Sequence, residues 1–286
     1  MTLIKPFTPG IYLKYSKIEH VETIDDVQHP IIRESLKQFD LGLPQIEITT
    51  LADIPAGTGL GSSGSFTTAL LRALYAYTKG IIHTRELAEK ACHIEIDLLG
   101  EPTGKQDQYI AAFGGITSFR FQRNGAVEVM PLAVDDEIRY ALEDNLLLFF
   151  TGFSRSASQI LKDQDIHAKK DEAATIANLD LVKDIGLRSK IALETGDLDQ
   201  FGRLMHEHWE NKRKRSSAIS NPQIDAWYDM ARANGAVGGK LVGAGGGGFL
   251  MFYANDKVRL RGAMRKAGLS EVRFRFDFEG TKLLVQ

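Results

Sequence analysis

The sequence predicts an α+β protein built from two domains. The predicted strands and helices come in runs rather than in the strict alternation that builds a parallel sheet. The chain of 286 residues is long enough for two domains of ordinary size. Near residue 142 the pattern changes from mixed strands and helices to mostly helices. We therefore expect one domain at 1–141 and a second at 142–286.

Two strands and a helix are predicted before the first glycine-rich segment. Residues 11–16 (IYLKYS) and 45–52 (QIEITTLA) alternate between apolar and polar side chains, as half-buried strands do. Between them, residues 29–40 place four apolar side chains on one side of a helix, namely Ile31, Ile32, Leu36 and Phe39.

Two helices are predicted after that segment. In the first, apolar residues recur at the spacing of an amphipathic helix. These residues are Phe66, Ala69, Leu70, Ala73, Leu74 and Tyr77. The second helix covers residues 85–99, with Thr84 as its N-cap and Gly100 as its stop.

The rest of the chain predicts five strands and at least two capped helices. Strands are expected at 114–121, 125–134, 145–152, 248–253 and 271–280, of which 145–152 is fully apolar at its centre. Asp197 caps one helix, and Asn221 followed by Pro222 opens another that Gly235 ends. The buried face of that last helix is expected to hold Ile224, Trp227, Tyr228 and Ala231.

The composition is that of an ordinary globular protein, with 43% apolar and 25% charged residues. A formal net charge of −2 gives no reason to expect a nucleic acid or an anionic membrane as a partner. The single cysteine, Cys92, has no partner for an intrachain disulfide, which fits a reducing compartment. The sequence has no long apolar run and no signal-peptide pattern, so we expect a cytoplasmic protein.

A phosphate-binding loop is predicted between Asp53 and Gly80. Four glycines (Gly57, Gly59, Gly61 and Gly64) and two serines (Ser62 and Ser63) lead directly into the first long helix. Glycines let the backbone approach an anion, and a helix N-terminus points free N–H groups and a positive dipole end at it. The alternative is a glycine-rich turn that serves packing alone.

Two better-known phosphate loops do not fit this segment. Residues 59–64 match the dinucleotide pattern G-x-G-x-x-G, but the acidic residue expected about 20 positions later falls at 83–86, where a helix begins. A Walker loop needs a lysine before its hydroxyl residue, and this segment has none. A nicotinamide oxidoreductase is therefore a distant alternative.

Glu95 is predicted to point inward. It lies on the apolar stripe of the second helix, which is formed by Ala88, Ala91, Leu98 and Leu99. A buried carboxylate needs a cation or strong donors, and Mg²⁺ beside a phosphate would meet that need. A salt-bridged or rim-exposed glutamate is an equal alternative at this point.

Lys105 and Asp107 lie two residues apart in the segment GEPTGKQDQYIAAFGG, which we expect to form a constrained turn bent by Gly100 and Gly104. An aspartate there can take a proton from an attacking hydroxyl, while the lysine stabilises its charged form or a phosphoryl oxygen. The pair is common by chance, so the pattern alone does not assign a role.

Two stretches together resemble the GHMP kinase superfamily, named for galactokinase, homoserine kinase, mevalonate kinase and phosphomevalonate kinase. Residues 55–64 (PAGTGLGSSG) look like its ATP phosphate loop, P-x-x-x-G-L-G-S-S-[AG]. Residues 240–253 (KLVGAGGGGFLMFY) contain its motif G-[AS]-G-x-G-G. The resemblance implies a two-domain fold, with an N-terminal domain like domain 2 of ribosomal protein S5 and a ferredoxin-like C-terminal domain. It also implies that ATP binds in a cleft.

The resemblance also implies roles for individual residues. Ser63 and Glu95 would hold Mg²⁺, and Asp107 would be the catalytic aspartate, with Lys105 beside it. The nucleotide would contact Pro55, Gly57, Gly59, Leu60, Gly61, Ser62, Ser63, Gly64, Gly245 and Gly246.

Within the superfamily, further segments are most similar to the bacterial D-glycero-D-manno-heptose 7-phosphate kinases. These are HPIIRESL, GEPTGKQDQYIAAFGG, TGFSRSAS, MHEHWENKRKRSS and FRFDFEG. The similarity implies phosphorylation of the C1 hydroxyl on the way to GDP-heptose and surface polysaccharide. Gly104 would line the sugar site, and Arg155, or Lys212 and Arg215, would hold the 7-phosphate, with surface solvation as the alternative for each basic residue. Another sugar 1-kinase, similar to fucokinase, and a non-catalytic sugar or nucleotide sensor are the alternatives.

The family's first motif, R-x-P-x-R-[IV]-[ST]-x-x-G-G-G-[ST]-D, is absent from the sequence. The chain starts at MTLIKPFTPGIYLKYSK, which resembles a later strand of the N-terminal domain. We therefore expect the first sheet to lack the strands that open the family fold.

Overall fold

The computed structural model describes residues 1–42, 44–152, 172–216 and 218–285. The chain forms two compact units. The first contains Met1–Pro55, Gly61–Gly115 and Asp277–Gln286, and the second contains Ala56–Leu60 and Ile116–Phe276. These units follow packing rather than continuous sequence, and the domain division after residue 141 stays a prediction. Helices and sheets are mixed in both units, which confirms the α+β class.

The first unit is built on a four-stranded sheet in the order β1-β4-β2-β3. β1 and β3 run antiparallel to their neighbours, and β2 and β4 are parallel. The strands are β1 (Thr2–Ile4), β2 (Gly10–Lys14), β3 (Ile18–Val21) and β4 (Gln45–Thr49). The helices are α1 (Pro30–Leu36), α2 (Ser62–Tyr77), α3 (Thr84–Cys92) and α4 (Gln106–Phe113).

The core of this unit is formed by the apolar faces of the strands and of the helices that pack on them. The side chains that β2 and β4 turn to one face are fully buried against α1 and α2. The cluster comprises Ile11, Leu13, Ile46, Ile48, Ile32, Leu36, Leu70 and Leu74, with Val27. Tyr77 adds a hydrogen bond from its hydroxyl to the Gln45 carbonyl at 2.8 Å, which fixes the end of α2 on β4.

Helix α3 changes its winding before it ends. Residues His93–Leu98 form a π-helical turn, and the Leu99 amide donates to the Ile94 carbonyl five residues back at 3.0 Å. The wider turn rotates the following side chains, so Leu98, predicted on the buried stripe, is 43% exposed. Gly100 ends the segment in a left-handed conformation (φ 65°), as its position predicts.

The second unit contains an antiparallel four-stranded sheet in the order β10-β7-β9-β8. Counted from β7, this is the order 4-1-3-2, which is the ferredoxin-like arrangement that the sequence resemblance implies. The strands are β5 (Thr117–Phe121), β6 (Val127–Pro131), β7 (Leu146–Phe150), β8 (Ala236–Leu241), β9 (Phe249–Ala254) and β10 (Ser270–Val272), with β5 and β6 paired as a separate hairpin.

The helices of the second unit cover this sheet. They are α5 (Asp136–Asn145), α6 (Glu172–Glu194), α7 (Leu198–Lys212), α8 (Pro222–Ala233) and α9 (Lys257–Lys266). Asp197 caps α7 through the Gln200 amide at 2.9 Å, and Asn221 caps α8 through two amides at 3.0 Å, as predicted. Within the described residues, no helix is long and apolar enough to cross a membrane.

Three predictions about secondary structure are wrong. Thr84 is the first residue of α3, and His83 rather than Thr84 is its N-cap. The strand expected at 271–280 ends at Val272, because the Phe274 and Phe276 rings turn into an apolar cluster of the second unit. The Phe276 amide donates to Glu143 instead of to a neighbouring strand. The turn expected around Asp107 is the first turn of α4.

Candidate active site

The predicted phosphate loop has the backbone that its glycines allow. Gly57, Gly59 and Gly61 have φ values of 77°, 84° and 68°. Residues with a Cβ atom rarely adopt this left-handed region. Gly61 is the N-cap of α2, and the helix starts without a side-chain cap. The first amides of α2 and the positive end of its dipole therefore stay available for an anion.

Gly64 brings α2 against α4 at this point. A Cβ added to Gly64 would lie 2.9 Å from both the Asp107 carbonyl carbon and the Gln108 amide nitrogen. A Cβ on Gly61 would lie 3.2 Å from the Asp107 carboxyl carbon. The missing side chains thus let the Asp107 carboxylate sit beside the first residues of α2.

We expect Gly64→Ala to loosen this contact, because the new methyl group would press on the α4 backbone rather than on a flexible side chain. Overpacking of this kind costs about 1–3 kcal/mol. Gly186→Ala in α6 is the matched control, since a Cβ there meets nothing within 4 Å and should stabilise the helix by roughly 0.5–1 kcal/mol. Chemical denaturation of both variants measures the difference, and equal stability changes would show that Gly64 is not needed for close packing.

Glu95 is buried, as the sequence predicts, with 2% of its surface exposed. Its side chain faces those of Ser63, Thr67 and Gln108, which favour the ionised carboxylate. Burial is the stronger effect and raises the pKa of Glu95, and the negative charge of Asp107 adds to it. Glu95 Oε1 is buried with no hydrogen-bond partner, and so is Gln108 Oε1. The site therefore presents unused oxygen acceptors and a carboxylate without a cation.

These donors fit a hard divalent cation. Mg²⁺ prefers oxygen ligands and binds through one or two carboxylates, with phosphate and water completing its shell. Glu95 and the Ser63 hydroxyl are of the right chemistry. Among the described residues no three acidic, histidine or cysteine side chains form a protein-only metal site. A cation here would therefore need the phosphates of a ligand.

Asp107 lies in the first turn of α4 and is partly buried. Burial raises the pKa of Asp107, and a hydrogen bond from Gln106 opposes the shift. The Lys105 ammonium donates to Glu89 at 2.8 Å, and the Tyr109 hydroxyl donates to the same carboxylate. Lys105 is therefore engaged with Glu89, and its predicted role beside Asp107 stays a prediction.

The residues of the second glycine motif also lack room for side chains. A Cβ on Gly59 would lie 2.6 Å from the Val242 carbonyl oxygen, and a Cβ on Gly248 would clash with Thr58. Gly245 packs on Ile219, whose carbonyl accepts a hydrogen bond from the Gly246 amide at 2.8 Å. In the second unit, the glycines of the two motifs thus let residues 56–60 pack directly on the 243–248 loop.

The predicted sugar-phosphate residues occupy different settings. Lys212 is buried, with 8% exposure, and its ammonium donates to the carbonyls of Leu241 and Gly243. It therefore braces the second glycine loop rather than lying on the surface. Arg215 follows in the turn after α7, and Gly104 is exposed. Arg155 lies outside the described residues.

Sequence reasoning missed three polar residues that surround the predicted ones. Thr67 and Gln108 face Glu95, and the positive charge of Lys240 acts on Lys212 and lowers its pKa. Thr67 follows Ser63 by one helical turn, and Gln108 follows Asp107 directly. Both could therefore have been predicted from their short sequence distance to site residues. Lys240 comes from β8, 28 residues after Lys212, and no local pattern links them.

Two family models match the chain. The N-terminal domain of the GHMP kinases matches residues 29–115, and their C-terminal domain matches residues 189–269. Glu95, Asp107 and the whole first glycine motif (residues 55–64) fall within the first match, and the second glycine motif falls within the second.

Characterised relatives are similar over most of the chain. D-glycero-alpha-D-manno-heptose 7-phosphate kinase of Campylobacter jejuni is 30% identical over 90% of this chain and 76% of its own. An L-fucokinase/L-fucose-1-P guanylyltransferase of Bacteroides fragilis is 31% identical over 82% of this chain, but this match spans only 25% of that longer protein. The crystal structure of a D-glycero-D-manno-heptose 1-phosphate kinase from Bacteroides thetaiotaomicron superposes with a TM-score of 0.70, at 26% identity, over 96% of this chain and 83% of its own.

Proposed function

The chain belongs to the GHMP kinases and is a sugar kinase that uses an alcohol group as acceptor, and we propose that its substrate is D-glycero-D-manno-heptose 7-phosphate. The product would be the 1,7-bisphosphate, formed at the anomeric C1 hydroxyl with ATP as donor. The similarity to the Campylobacter kinase supports this substrate. The observation that carries the chemistry is a pair of carboxylates next to the uncapped start of α2, the buried Glu95 and the partly buried Asp107.

Asp107 is the general base of the proposed reaction. Its carboxylate takes the proton of the C1 hydroxyl, the C1 oxygen forms a bond to the γ-phosphorus, and the bond from that phosphorus to the bridging oxygen breaks to release ADP. The position of Asp107 beside Gly61 supports this role, because it lies next to the predicted phosphate loop. The amides that start α2 would hold phosphate oxygens.

Ser63 and Glu95 would hold Mg²⁺, which would offset the charge that develops on the phosphates. The unpartnered Glu95 Oε1 supports this assignment, because this buried oxygen has no hydrogen-bond partner in the described part of the chain. Gln108 and Thr67 would keep the Glu95 carboxylate in position.

An ADP-release assay over a panel of acceptors tests the substrate. The panel contains heptose 7-phosphate, the free heptose, fucose, galactose and mevalonate, and phosphorus NMR gives the position of the new phosphate. We expect the highest kcat/KM with heptose 7-phosphate and a phosphate at C1. A higher kcat/KM with an unphosphorylated sugar would contradict the proposed substrate.

A fucokinase-like sugar 1-kinase is the second candidate, and the match to the Bacteroides fragilis protein favours it. Fucose as the preferred acceptor would support this candidate. ATP binding without ADP release for any acceptor would instead indicate a non-catalytic sensor.

A further inference from the structure

A half-buried guanidinium with two unpartnered nitrogens lies in the second unit, just after α7. Arg215 Nε and Nη2 are both buried and have no hydrogen-bond partner in the structure. A guanidinium offers five N–H donors in a planar fork, and leaving them unsatisfied away from water is costly. The neighbouring Arg213 shows the usual solution, since it donates to Glu210 at 2.7 Å. These N–H donors of Arg215 have no acceptor among the described residues, so they are available to a bound ligand.

The groups around Arg215 are cations or neutral donors. Lys212 from α7 and Lys240 from β8 each feel the positive charge of Arg215, and Lys212 also feels that of Lys240. Burial among these like charges lowers the pKa of Lys212 to about 7 and that of Lys240 to about 8. His208, one turn before Lys212, is neutral because burial and the same three cations lower its pKa to about 3. Among the residues that the structure describes, no carboxylate contributes to these pKa shifts.

Hydrogen bonds to the backbone hold the segment that carries Lys212 and Arg215 in place. Lys212 holds the carbonyls of Leu241 and Gly243, and the Gly246 amide holds the Ile219 carbonyl at 2.8 Å. The turn that carries Arg215 is therefore tied at both ends to the second glycine loop. Such a frame lets the side chains bind without first losing much conformational freedom.

We propose that Arg215 and Lys240, braced by Lys212 and with His208 as a neutral donor, form a binding site for a phosphate dianion. The planar fork of Arg215 suits two phosphate oxygens at once, and Lys240 supplies a second charge. The anion belongs to the phosphate of the acceptor sugar or to the nucleotide. As the acceptor's phosphate it rests on the proposed function, whereas the anion site itself does not.

Sulfate tests the anion site without any catalysis, because it is a dianion of phosphate geometry. We expect sulfate at constant ionic strength to raise the melting temperature of the full-length protein, and Arg215→Met to abolish that rise. Arg215→Met should also melt higher than the unmodified protein without sulfate, because it removes a half-buried charge with two buried nitrogens that have no hydrogen-bond partner. A variant that melts lower and keeps the sulfate response would show that Arg215 has a structural role only.

Lys214→Ala is the matched control, since Lys214 is exposed and its loss changes the net charge equally. It should keep the full sulfate response. If Lys214→Ala loses the response as Arg215→Met does, sulfate binds by general surface charge and the proposal is wrong. Lys240→Met provides a second test, with the same loss of response expected.

Steady-state kinetics separates the two sources of the phosphate. If it is the acceptor's, Arg215→Met should raise KM for the phosphorylated sugar at least tenfold and leave KM for ATP unchanged. If it is the nucleotide's, only KM for ATP should rise. A protein inactive on every acceptor would refute the proposed function while the sulfate result still stands. Unchanged values of both KM would overturn the proposal.

Sulfate affinity should also weaken as pH rises from about 6 to about 9, because Lys212 and Lys240 lose their protons in that range. The charged group that lowers the pKa of both lysines is Arg215 after α7, and Lys240 of β8 also lowers the pKa of Lys212. Calorimetry in two buffers of different ionisation enthalpy should show proton uptake on binding at pH 8. Binding without proton uptake would contradict the participation of the lysines.

Discussion

Asp107→Asn is expected to lower kcat by about 10² to 10⁴-fold, the usual contribution of a positioned general base. The amide has the size of the carboxylate but cannot accept the proton of the acceptor hydroxyl. The Asp107 side chain lies beside Gly61 and its backbone lies beside Gly64 of α2, and both contacts survive the exchange. ATP binding should therefore be retained, as measured by calorimetry.

The pH profile of kcat/KM gives a second measure of the same role, because it reports the free enzyme. Burial raises the pKa of Asp107, so the acidic limb should lie above the value near 3.9 of an ordinary aspartate. Activity should rise with pH as the carboxylate loses its proton. In Asp107→Asn this limb should disappear.

Asp97→Asn is the matched control, since Asp97 is exposed and pairs with His93 at 2.8 Å on the surface. It should leave kcat within a factor of two to three, because an exposed pair of this kind contributes at most about 1 kcal/mol. Undiminished turnover in Asp107→Asn would remove the base role from Asp107. Loss of ATP binding in the same variant would instead make Asp107 a positioning residue of the loop.

The sequence predicted the parts of the site that depend on local chemistry. Glycines before a strong helix imply left-handed backbone and a helix start without a side-chain cap, and both are found at Gly61. The inward position of Glu95 followed from helical spacing and is confirmed. Leu98 was placed wrongly by the same reasoning, because the π-helical turn was not in the pattern.

Other features depend on contacts between distant segments, which no local pattern contains. Helix α4 was missed because it is only eight residues long and its apolar residues, 109–113, are consecutive, so they show no helical period. The burial of Lys212 depends on carbonyls 29 and 31 residues away. The alternating phenylalanines at 274–278 predicted a strand. In the structure, Phe274 and Phe276 pack in an apolar cluster of the second unit instead.

Glu95→Gln is expected to abolish most activity and at the same time to stabilise the protein without ligand. The buried carboxylate has no cation among the described residues, so replacing it by a neutral amide removes a desolvation cost. We expect a gain of roughly 1–2 kcal/mol, or about 2–4 °C in melting temperature. Activity should fall at least about 100-fold, since the ligand to the cation is lost.

The stability difference between Glu95→Gln and the unmodified protein should depend on pH. Because the pKa of Glu95 is raised in the folded state, the stability that its proton provides is present below the ordinary glutamate value near 4.3 and is lost as pH rises through the folded value. The advantage of Glu95→Gln over the unmodified protein should thus be absent at pH 4 and should grow towards pH 8 as Glu95 loses its proton.

Melting curves between these pH values, with Glu22→Gln as the control, measure this difference. Glu22 is exposed, so its exchange should change neither stability nor activity. ATP with Mg²⁺ should raise the melting temperature of the unmodified protein and of Glu22→Gln, and much less that of Glu95→Gln. If Glu95→Gln is less stable at every pH, the hydrogen-bonding side chains around Glu95 outweigh its burial, and the carboxylate is a structural group rather than one kept for a cation. If Glu95→Gln is more stable and inactive, Glu95 destabilises the fold and is needed for binding the cation. This is the result that we expect.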